Sequence, residues 1–242
     1  MKYAVILVSL LASANGYTQT QTETMTTENK RPSIDNKVEH LDIKQYEKNF
    51  TIYYPSSSDP SDKVYIYKEE TPYYTITVEG DYTYGFTYRK EFKTAPFNYY
   101  IFKCFYPNFS LWNKLIGGRF NNGSKILLGI GYWFNENGQL VKEENYDEGW
   151  GFSYEQAVRF AQNKYDEDTF KKMRIYKTTE NGWKYWSVYT EGVYGDGYGE
   201  IEHLKLDAQT GEIISHVVKY VPRYGAIKVL KVIVPDKTKE KR

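Results

Sequence analysis

Few side chains in this sequence are of the types that carry out nucleophilic or metal-assisted chemistry. Among its 242 residues there is one cysteine, Cys104, and there are three histidines, His40, His203 and His216. A thiol or hydroxyl nucleophile needs a base within hydrogen-bond reach, so such a reaction would depend on one of these three imidazoles. Cys104 lies in an aromatic, strand-like run at residues 99–106, which favours a buried, unreactive thiol over a nucleophile.

Metal chemistry is not predicted either. Glu202 and His203 are adjacent, and on a strand adjacent side chains point to opposite faces, so the two cannot bind one ion together. His216 adds no third ligand at a suitable spacing. An acidic cluster lacks the alternating oxygen ligands and the turn glycine of a calcium loop, so a solvated hairpin edge is the favoured interpretation; its members are Glu143, Glu144, Asp147 and Glu148. We expect no metal and no other cofactor.

Other common catalytic patterns are also missing from the sequence. The glycines at residues 129–131 and 195–199 do not open a helix after a strand, which disfavours a phosphate cradle. No serine lies in a Gly-x-Ser-x-Gly elbow. The 32 basic residues balance the 31 acidic ones, so no general field attracts nucleic acid. The sequence therefore predicts a protein that is not an enzyme, although a carboxylate pair assembled by the fold stays open.

The segment most suggestive of recognition is the glycine-rich stretch at residues 192–199. It displays Tyr194 and Tyr198 on either side of Asp196. Tyrosines among flexible glycines are typical of contact loops, so these three residues are predicted to touch a partner. An ordinary connection between two strands would have the same composition, and both interpretations stay open.

The N-terminus has the features of an export signal. Lys2 precedes an apolar run at residues 4–11, and Ala12 and Ala14 give the small-x-small pattern of a cleavage site. The run is much shorter than the roughly 20 residues that cross a bilayer. A buried N-terminal strand is the competing interpretation. We predict a signal peptide at 1–16, a periplasmic or secreted product without membrane insertion, and a flexible tether at 17–45, where residues 18–36 are polar and rich in Thr and Gln.

The following region, 46–149, has the pattern of a β-meander. Aromatic residues make up 18% of the chain, 26 of them tyrosines, and such residues favour strands. Apolar and polar residues alternate at 74–79 and at 82–88, which predicts a hairpin with its turn at 79–81. The pair Asn137-Gly138 predicts a two-residue hairpin turn of type I′, in which both residues have positive φ.

Two copies of a weak repeat occur within this region, at 106–123 and 135–149. Each copy has a turn, a strand with a leucine, an aromatic residue and a closing glycine, and Phe109 stands where the second copy has Gly138. The string GYWFNENGQLVKEENY at residues 131–146 resembles MORN-variant repeats, over about residues 105–149. Some members of that family are antitoxin components, so the resemblance implies a role in binding and neutralising a partner.

The region 150–235 is predicted to form a helix followed by antiparallel strands. Ser153 and Gln156 form a capping box, which predicts a helix over 154–163. Strands are expected at 173–177, 183–189, 200–206, 212–220 and 226–234. The helix at 153–161 and the turn DAQTGE at 207–212 resemble a PepSY domain. That resemblance implies a non-enzymatic domain that restrains a peptidase or another envelope partner. A basic tail is predicted at 236–242.

These observations predict an α+β protein, mostly antiparallel β, with a β-meander followed by a helix-and-sheet module. The predicted function is that of a non-catalytic exported binding protein of the inhibitor or immunity kind, whose partner is a protein. A carbohydrate- or surface-binding accessory module is the alternative, and an enzyme of unrecognised type is the third hypothesis. Coplanar exposed aromatic rings would favour carbohydrate, a contiguous apolar patch a protein partner, and a pocket lined by acids an enzyme.

Overall fold

The computed structural model describes residues 30–55, 63–121, 124–190 and 199–239, and within these ranges the chain forms two antiparallel sheets. Strands of the first sheet follow one another in chain order: β1 Thr51–Tyr53, β2 Val64–Glu70, β3 Tyr74–Asp81, β4 Gly85–Phe92, β5 Asn98–Phe105, β6 Leu111–Phe120, β7 Ser124–Phe134 and β8 Leu140–Asn145. Those of the second are β9 Arg174–Glu180, β10 Trp183–Tyr189, β11 Gly199–Asp207, β12 Ile213–Val221 and β13 Lys228–Val234.

Three short helices accompany the sheets: α1 Lys44–Glu47, α2 Tyr154–Lys164 and α3 Glu167–Lys172, with a 3₁₀ turn at Lys237–Lys239. Every strand pairs antiparallel with its neighbour in the chain, except that β8 and β9 belong to different sheets. The prediction of a mostly antiparallel β protein is confirmed. The α+β label fits only loosely, because helices are few and short.

The predicted hairpin exists, but its turn lies later in the chain. Residues 79–81 belong to β3, and residues 82–84 make the turn before Gly85. The carboxylate of Asp81 accepts hydrogen bonds from the backbone N–H groups of Thr83 and Tyr84, both at 2.7 Å. This Asx-type bonding places Tyr82 and Tyr84 at the tip of the hairpin instead of in the strand.

The type I′ turn predicted at Asn137-Gly138 is wrong. Gly138 has φ of 76°, but Asn137 is not among the residues with positive φ, and residues 135–139 form a longer turn closed by bonds from Asn135 N–H to Gln139 O (3.0 Å) and from Gly138 N–H to Asn135 O (2.9 Å). Asn181 and Gly182 are a pair in which both φ values are positive, 51° and 79°, and they join β9 to β10.

Helix α2 begins as predicted. Ser153 Oγ accepts from Gln156 N–H at 3.3 Å and Gln156 Oε1 accepts from Ser153 N–H at 2.7 Å, which confirms the capping box. Helix α3 was not predicted; it is only six residues long and is capped by Asp166, whose side chain accepts from Thr169 N–H at 2.9 Å.

The predicted boundary near residue 149 does not separate two cores. One cluster of buried side chains draws on both sheets and on α2; among its members are Tyr99, Ile116, Leu128, Ala157, Ile175, Trp186 and Leu204. A second cluster lies between the first sheet and the N-terminal segment and includes Leu41, Ile43, Val78, Phe86 and Leu111. Helix α2 therefore contributes side chains to a core that both sheets share.

Residues 31–43 contradict the tether predicted at 17–45. Leu41 and Ile43 are buried, Leu41 N–H donates to Phe109 O at 2.9 Å, and Leu111 N–H donates to Glu39 O at 3.0 Å. The polar composition of this segment concealed ion pairs that attach it to the sheet. We call residues 31–43 the N-terminal strap. The predicted signal peptide and residues 17–29 lie outside the described residues.

Charged side chains fasten the strap at two places. Lys114, 1% exposed, donates to Asp35 Oδ1 (2.8 Å) and Glu39 Oε1 (3.0 Å). Arg31 donates to both carboxylate oxygens of Glu155, at 2.9 and 3.0 Å, and also to Asp147. Asp147 is therefore half-buried and ion-paired, which corrects its predicted place on a solvated hairpin edge. Glu143 and Glu148 are exposed, as expected of residues on such an edge.

Candidate functional site on the second sheet

The predicted contacts Tyr194, Asp196 and Tyr198 lie outside the described residues, but the two ends of their segment are placed. It connects β10 to β11. At its start Thr190 is held to β11 by two bonds, from its N–H to Glu202 O (3.0 Å) and from Glu202 N–H to its Oγ1 (2.8 Å). Both ends of the segment are therefore fixed where β10 ends and β11 begins.

A cavity of about 510 Å³ lies next to this point, on β9 and β10. Its lining is aromatic, hydroxylic and cationic: Arg174, Tyr176, Lys177, Thr178, Ser187, Tyr189, Thr190 and Ile201. Tyr176 and Tyr189 meet edge to face, with ring centroids 6.1 Å apart. Among the residues that the structure describes, no carboxylate lines this cavity, and these residues provide no pair of acids of the kind that a glycosidase-like reaction requires.

Ser187, which lines the cavity, and His203 form a buried pair on one face of the second sheet. Ser187 Oγ lies 3.0 Å from His203 Nε2, and the two residues are 3% and 6% exposed. The Tyr189 ring stacks on the imidazole at 4.0 Å between centroids. The strands bring together a serine and a histidine that are 16 positions apart, an arrangement that sequence analysis missed.

The hydrogen bonds of His203 oppose a role as a base for Ser187. Lys219 Nζ lies 3.4 Å from His203 Nδ1, and an ammonium group can only donate, so Nδ1 accepts. The ring proton of neutral His203 is then on Nε2 and points at Ser187 Oγ. Burial, together with the charges of Lys219 and Lys205, lowers the pKa of His203 to about 4. The imidazole therefore donates to the hydroxyl and cannot remove its proton in this state.

Lys205 organises a polar cluster beside this pair. Its Nζ contacts Glu180 (3.0 Å), Asp236 (2.9 Å) and Thr238 Oγ1 (3.0 Å). Although burial by itself lowers the pKa of Lys205, the Asp236 and Glu180 carboxylates raise it overall. Thr238 is 3% exposed. The predicted basic tail at 236–242 therefore does not stand apart from the fold at its start, because Asp236 and Thr238 contact Lys205 on β11.

The remaining chemical candidates do not form one common site. Glu202 contacts His216, and His203 lies on the opposite face with Ser187, as strand alternation predicts. Within the described ranges no three His, Cys, Asp or Glu side chains are grouped to hold a metal ion. Cys104 lies in β5, and burial raises the pKa of its thiol to about 11 despite a hydrogen bond from Asn113.

Strand β13 is at an edge of the second sheet, where, among the described strands, it pairs only with β12. Aliphatic side chains stand in solvent along this strand: Val229 (57%), Leu230 (53%), Val232 (55%) and Ile233 (45%). The preceding Ile227 (59%) and Tyr224 (87%) extend this surface. Seven residues of backbone therefore present one unpaired side next to a strip of apolar side chains.

The other three sheet edges in the described part of the chain are protected more fully than β13, which carries two lysines among its seven residues. Strand β1 is only three residues long. Three of the six residues of β8 are charged, Lys142, Glu143 and Glu144. Strand β9 lies against the first sheet, where Lys177 Nζ donates to Leu127 O (3.1 Å) and Tyr146 O (2.7 Å). Short strands, charges and covering elements are the usual means of blocking edge-to-edge pairing.

No protein-family model matches the chain, and no curated protein or solved structure matches it either. The MORN-variant and PepSY resemblances therefore stay predictions. Within the described ranges, no helix has both the length and the apolar composition needed to cross a bilayer.

Proposed function

We propose that this protein is a non-catalytic binding protein that takes an extended segment of another protein as an additional strand along β13. The observation that carries the proposal is the exposed aliphatic edge, with Val229, Leu230, Val232 and Ile233 each between 45% and 57% exposed. An added strand satisfies the open backbone groups and covers these side chains at the same time. Complete burial of a fully exposed side chain of this kind contributes roughly 1.5–3 kcal/mol, so covering the exposed half of one contributes about half of that.

The chemistry of the second sheet supports a binding role over a catalytic one. The described lining of the cavity on β9 and β10 contains no carboxylate, and His203 donates to Ser187. A protein with this surface acts by occupying a segment of its partner. That action is the one expected of an inhibitor or immunity protein, which fits the role that the two resemblances imply. We further propose that it does so after export, as residues 1–16 predict.

The carbohydrate-binding alternative has less support. Flat sugar surfaces are best matched by coplanar rings, but the more exposed ring pairs on the first sheet are tilted. Tyr106 and Trp112 are inclined by 42°, and Trp133 and Tyr146 by 52°. The contiguous exposed surface is aliphatic instead, and such strips are typical of protein partners.

Peptide display tests the proposal directly, because it does not require the partner to be identified. Random extended peptides are selected for binding to the mature protein. Their affinities for the wild type and for the variant Val229→Asn/Val232→Asn are then compared. We expect at least about tenfold weaker binding, because two apolar contacts are lost. The thermal midpoint should hardly change, since both side chains are more than half exposed.

The matched control is Val141→Asn on β8, an equally exposed valine (62%) on the free edge of the first sheet. This variant should bind the selected peptides as the wild type does. Peptides that bind the β13 variant with undiminished affinity, or a selection that enriches no peptide, would contradict strand addition at β13.

A further inference from the structure

The edge strand lies in a strongly basic part of an otherwise balanced chain. The whole sequence has a formal net charge of +1. Residues 219–237 nevertheless contain five basic side chains and one acid; the basic ones are Lys219, Arg223, Lys228, Lys231 and Lys237. The one acid, Asp236, is already bonded to Lys205 at 2.9 Å. A partner strand at this edge therefore enters a positive field.

Two of these lysines lie on β13 itself and share one face. Lys228 is opposite Tyr220, and Lys231 is opposite Val218, two residues before Tyr220 on β12. Residues two apart on a strand face the same way. The register shift between Val218 and Lys219 thus places lysines that are three positions apart on one face, and both are exposed.

The other face of β13 is apolar. Val229 is opposite Lys219 and Val232 is opposite Val217. A strand added to the free side would therefore meet lysine on one face and valine on the other. Directly opposed side chains in an antiparallel pair lie about 4.5–5.5 Å apart between Cβ atoms, close enough for opposite charges to stabilise the pairing.

We propose, on the basis of the proposed strand addition, that the partner segment is an extended strand with acidic side chains on one face and apolar side chains on the other. Lys228 and Lys231 select the acidic face, and Val229 and Val232 select the apolar face. A second copy of this chain fits this edge less well. Antiparallel self-pairing centred on β13 sets Lys231 against Lys231 of the second copy, and directly opposed like charges are destabilising.

Three synthetic peptides test the charge preference. Each alternates Thr with Val, and they differ only at two neighbouring positions of the Thr face, which carry Glu, Gln or Lys. We expect the Glu peptide to bind about tenfold more tightly than the Lys peptide, with the Gln peptide between them. Added salt should reduce the difference, because exposed charges are screened.

Charge reversal in the protein provides the decisive comparison. In Lys228→Glu/Lys231→Glu the order of the three peptides should invert, so that the Lys peptide binds most tightly. The control Lys125→Glu/Lys172→Glu makes the same change in net charge at two exposed lysines outside the second sheet and should keep the wild-type order. Equal affinities of all three peptides for the wild type, or an unaltered order in the reversed variant, would overturn the inference.

The outcomes separate this inference from the function on which it rests. Equal binding of all three peptides, lost in Val229→Asn/Val232→Asn, would leave strand addition standing and remove only the acidic preference. Binding of none of the three would count against strand addition itself. Sedimentation of the wild type alone as a dimer, which the neutral substitution Lys231→Gln strengthens and Val229→Asn/Val232→Asn abolishes, would identify a second copy as the occupant and overturn the proposed partner.

Discussion

Phe109 and Gly138 occupy the same position in two turns with the same hydrogen bonds. Phe109 N–H donates to Tyr106 O at 2.8 Å and Tyr106 N–H to Ser110 O at 2.9 Å; in the second turn Gly138 and Asn135 make the corresponding bonds at 2.9 and 3.0 Å. Their φ values are 64° and 76°. A phenylalanine therefore accepts a conformation that costs a residue with a side chain about 1–2 kcal/mol, and its ring contacts with Tyr82 and Phe86 offset that cost.

The substitution Gly138→Ala should lower the free energy of unfolding by about 1 kcal/mol, because an alanine is strained at positive φ. Its Cβ would also approach Val38 Cγ2 at 3.2 Å. The control is Asn137→Ala, at a position that does not have positive φ, which should leave the urea midpoint almost unchanged. A larger effect at Asn137 than at Gly138 would contradict this turn geometry.

The substitution Lys114→Met should weaken the attachment of the N-terminal strap. The methionine keeps the packing of the stem but loses the bonds to Asp35, Glu39 and Lys37 O. We expect about 1–3 kcal/mol lower stability, since the two carboxylates remain partly accessible to water. In this variant, hydrogen exchange should become faster at the Leu41 and Leu111 amides than in the wild type, and this increase should exceed the increase at the amides of the core strands.

The matched control for the strap is Lys142→Met, which removes an exposed ion pair with Glu144 on β8. Exposed pairs contribute little, so the midpoint and the exchange rates should stay at wild-type values. Equal behaviour of the two variants would mean that the buried lysine does not hold the strap.

His203 predicts an acid-sensitive stability. Burial, followed by the charges of Lys219 and Lys205, lowers its pKa to about 4 in the folded protein, against an ordinary value of 6.5. The unfolded chain therefore binds a proton that the folded protein does not. This contribution is fully present above pH 6.5 and is lost as the pH falls towards 4.

Between pH 7.5 and pH 5, the wild type should lose about 1–2 kcal/mol more stability than His203→Gln, which has no imidazole to titrate. The measurement is the urea midpoint at each pH, and the difference between the two proteins cancels contributions from other groups. Parallel pH profiles would show that His203 titrates in the folded protein as it does in water.

The Cys104 thiol should react slowly. Its pKa, raised to about 11 from 9.0, reduces the thiolate fraction at neutral pH by about 100-fold. Labelling of the native protein with a maleimide at pH 7 should be slower than labelling in urea by at least that factor. Equally fast labelling in both states would mean an accessible thiolate and would reopen nucleophilic chemistry at this residue.

Local patterns predicted the strands well and their arrangement poorly. The stretch predicted at 183–189 is strand β10, and those at 200–206 and 212–220 differ from β11 and β12 by one or two residues at their ends, because alternation and turn residues are local signals. The run at 226–234 looked like any apolar strand. Its position at a free edge depends on which strands pair, and that information is not local.

The features of the second sheet that bear on chemistry were also beyond sequence analysis. Ser187 and His203 meet because Val188 is opposite Leu204 in the β10–β11 pairing. That register depends on the whole pairing and leaves no spacing motif. The strap was misjudged for another reason. Its charges indicate solvation when they are counted alone, whereas the buried Lys114 and the half-buried Glu155 provide partners far along the chain.

The strap also determines when the molecule can complete its fold. Arg31 is 124 positions from Glu155, and Asp35 is 79 positions from Lys114. The earliest described residues to leave the ribosome therefore wait for partners that are synthesised much later. Contacts of such long sequence separation slow folding. Until they form, the nascent chain leaves the apolar side of the first sheet uncovered around Val78 and Phe86, and exposed apolar surface of this kind favours aggregation.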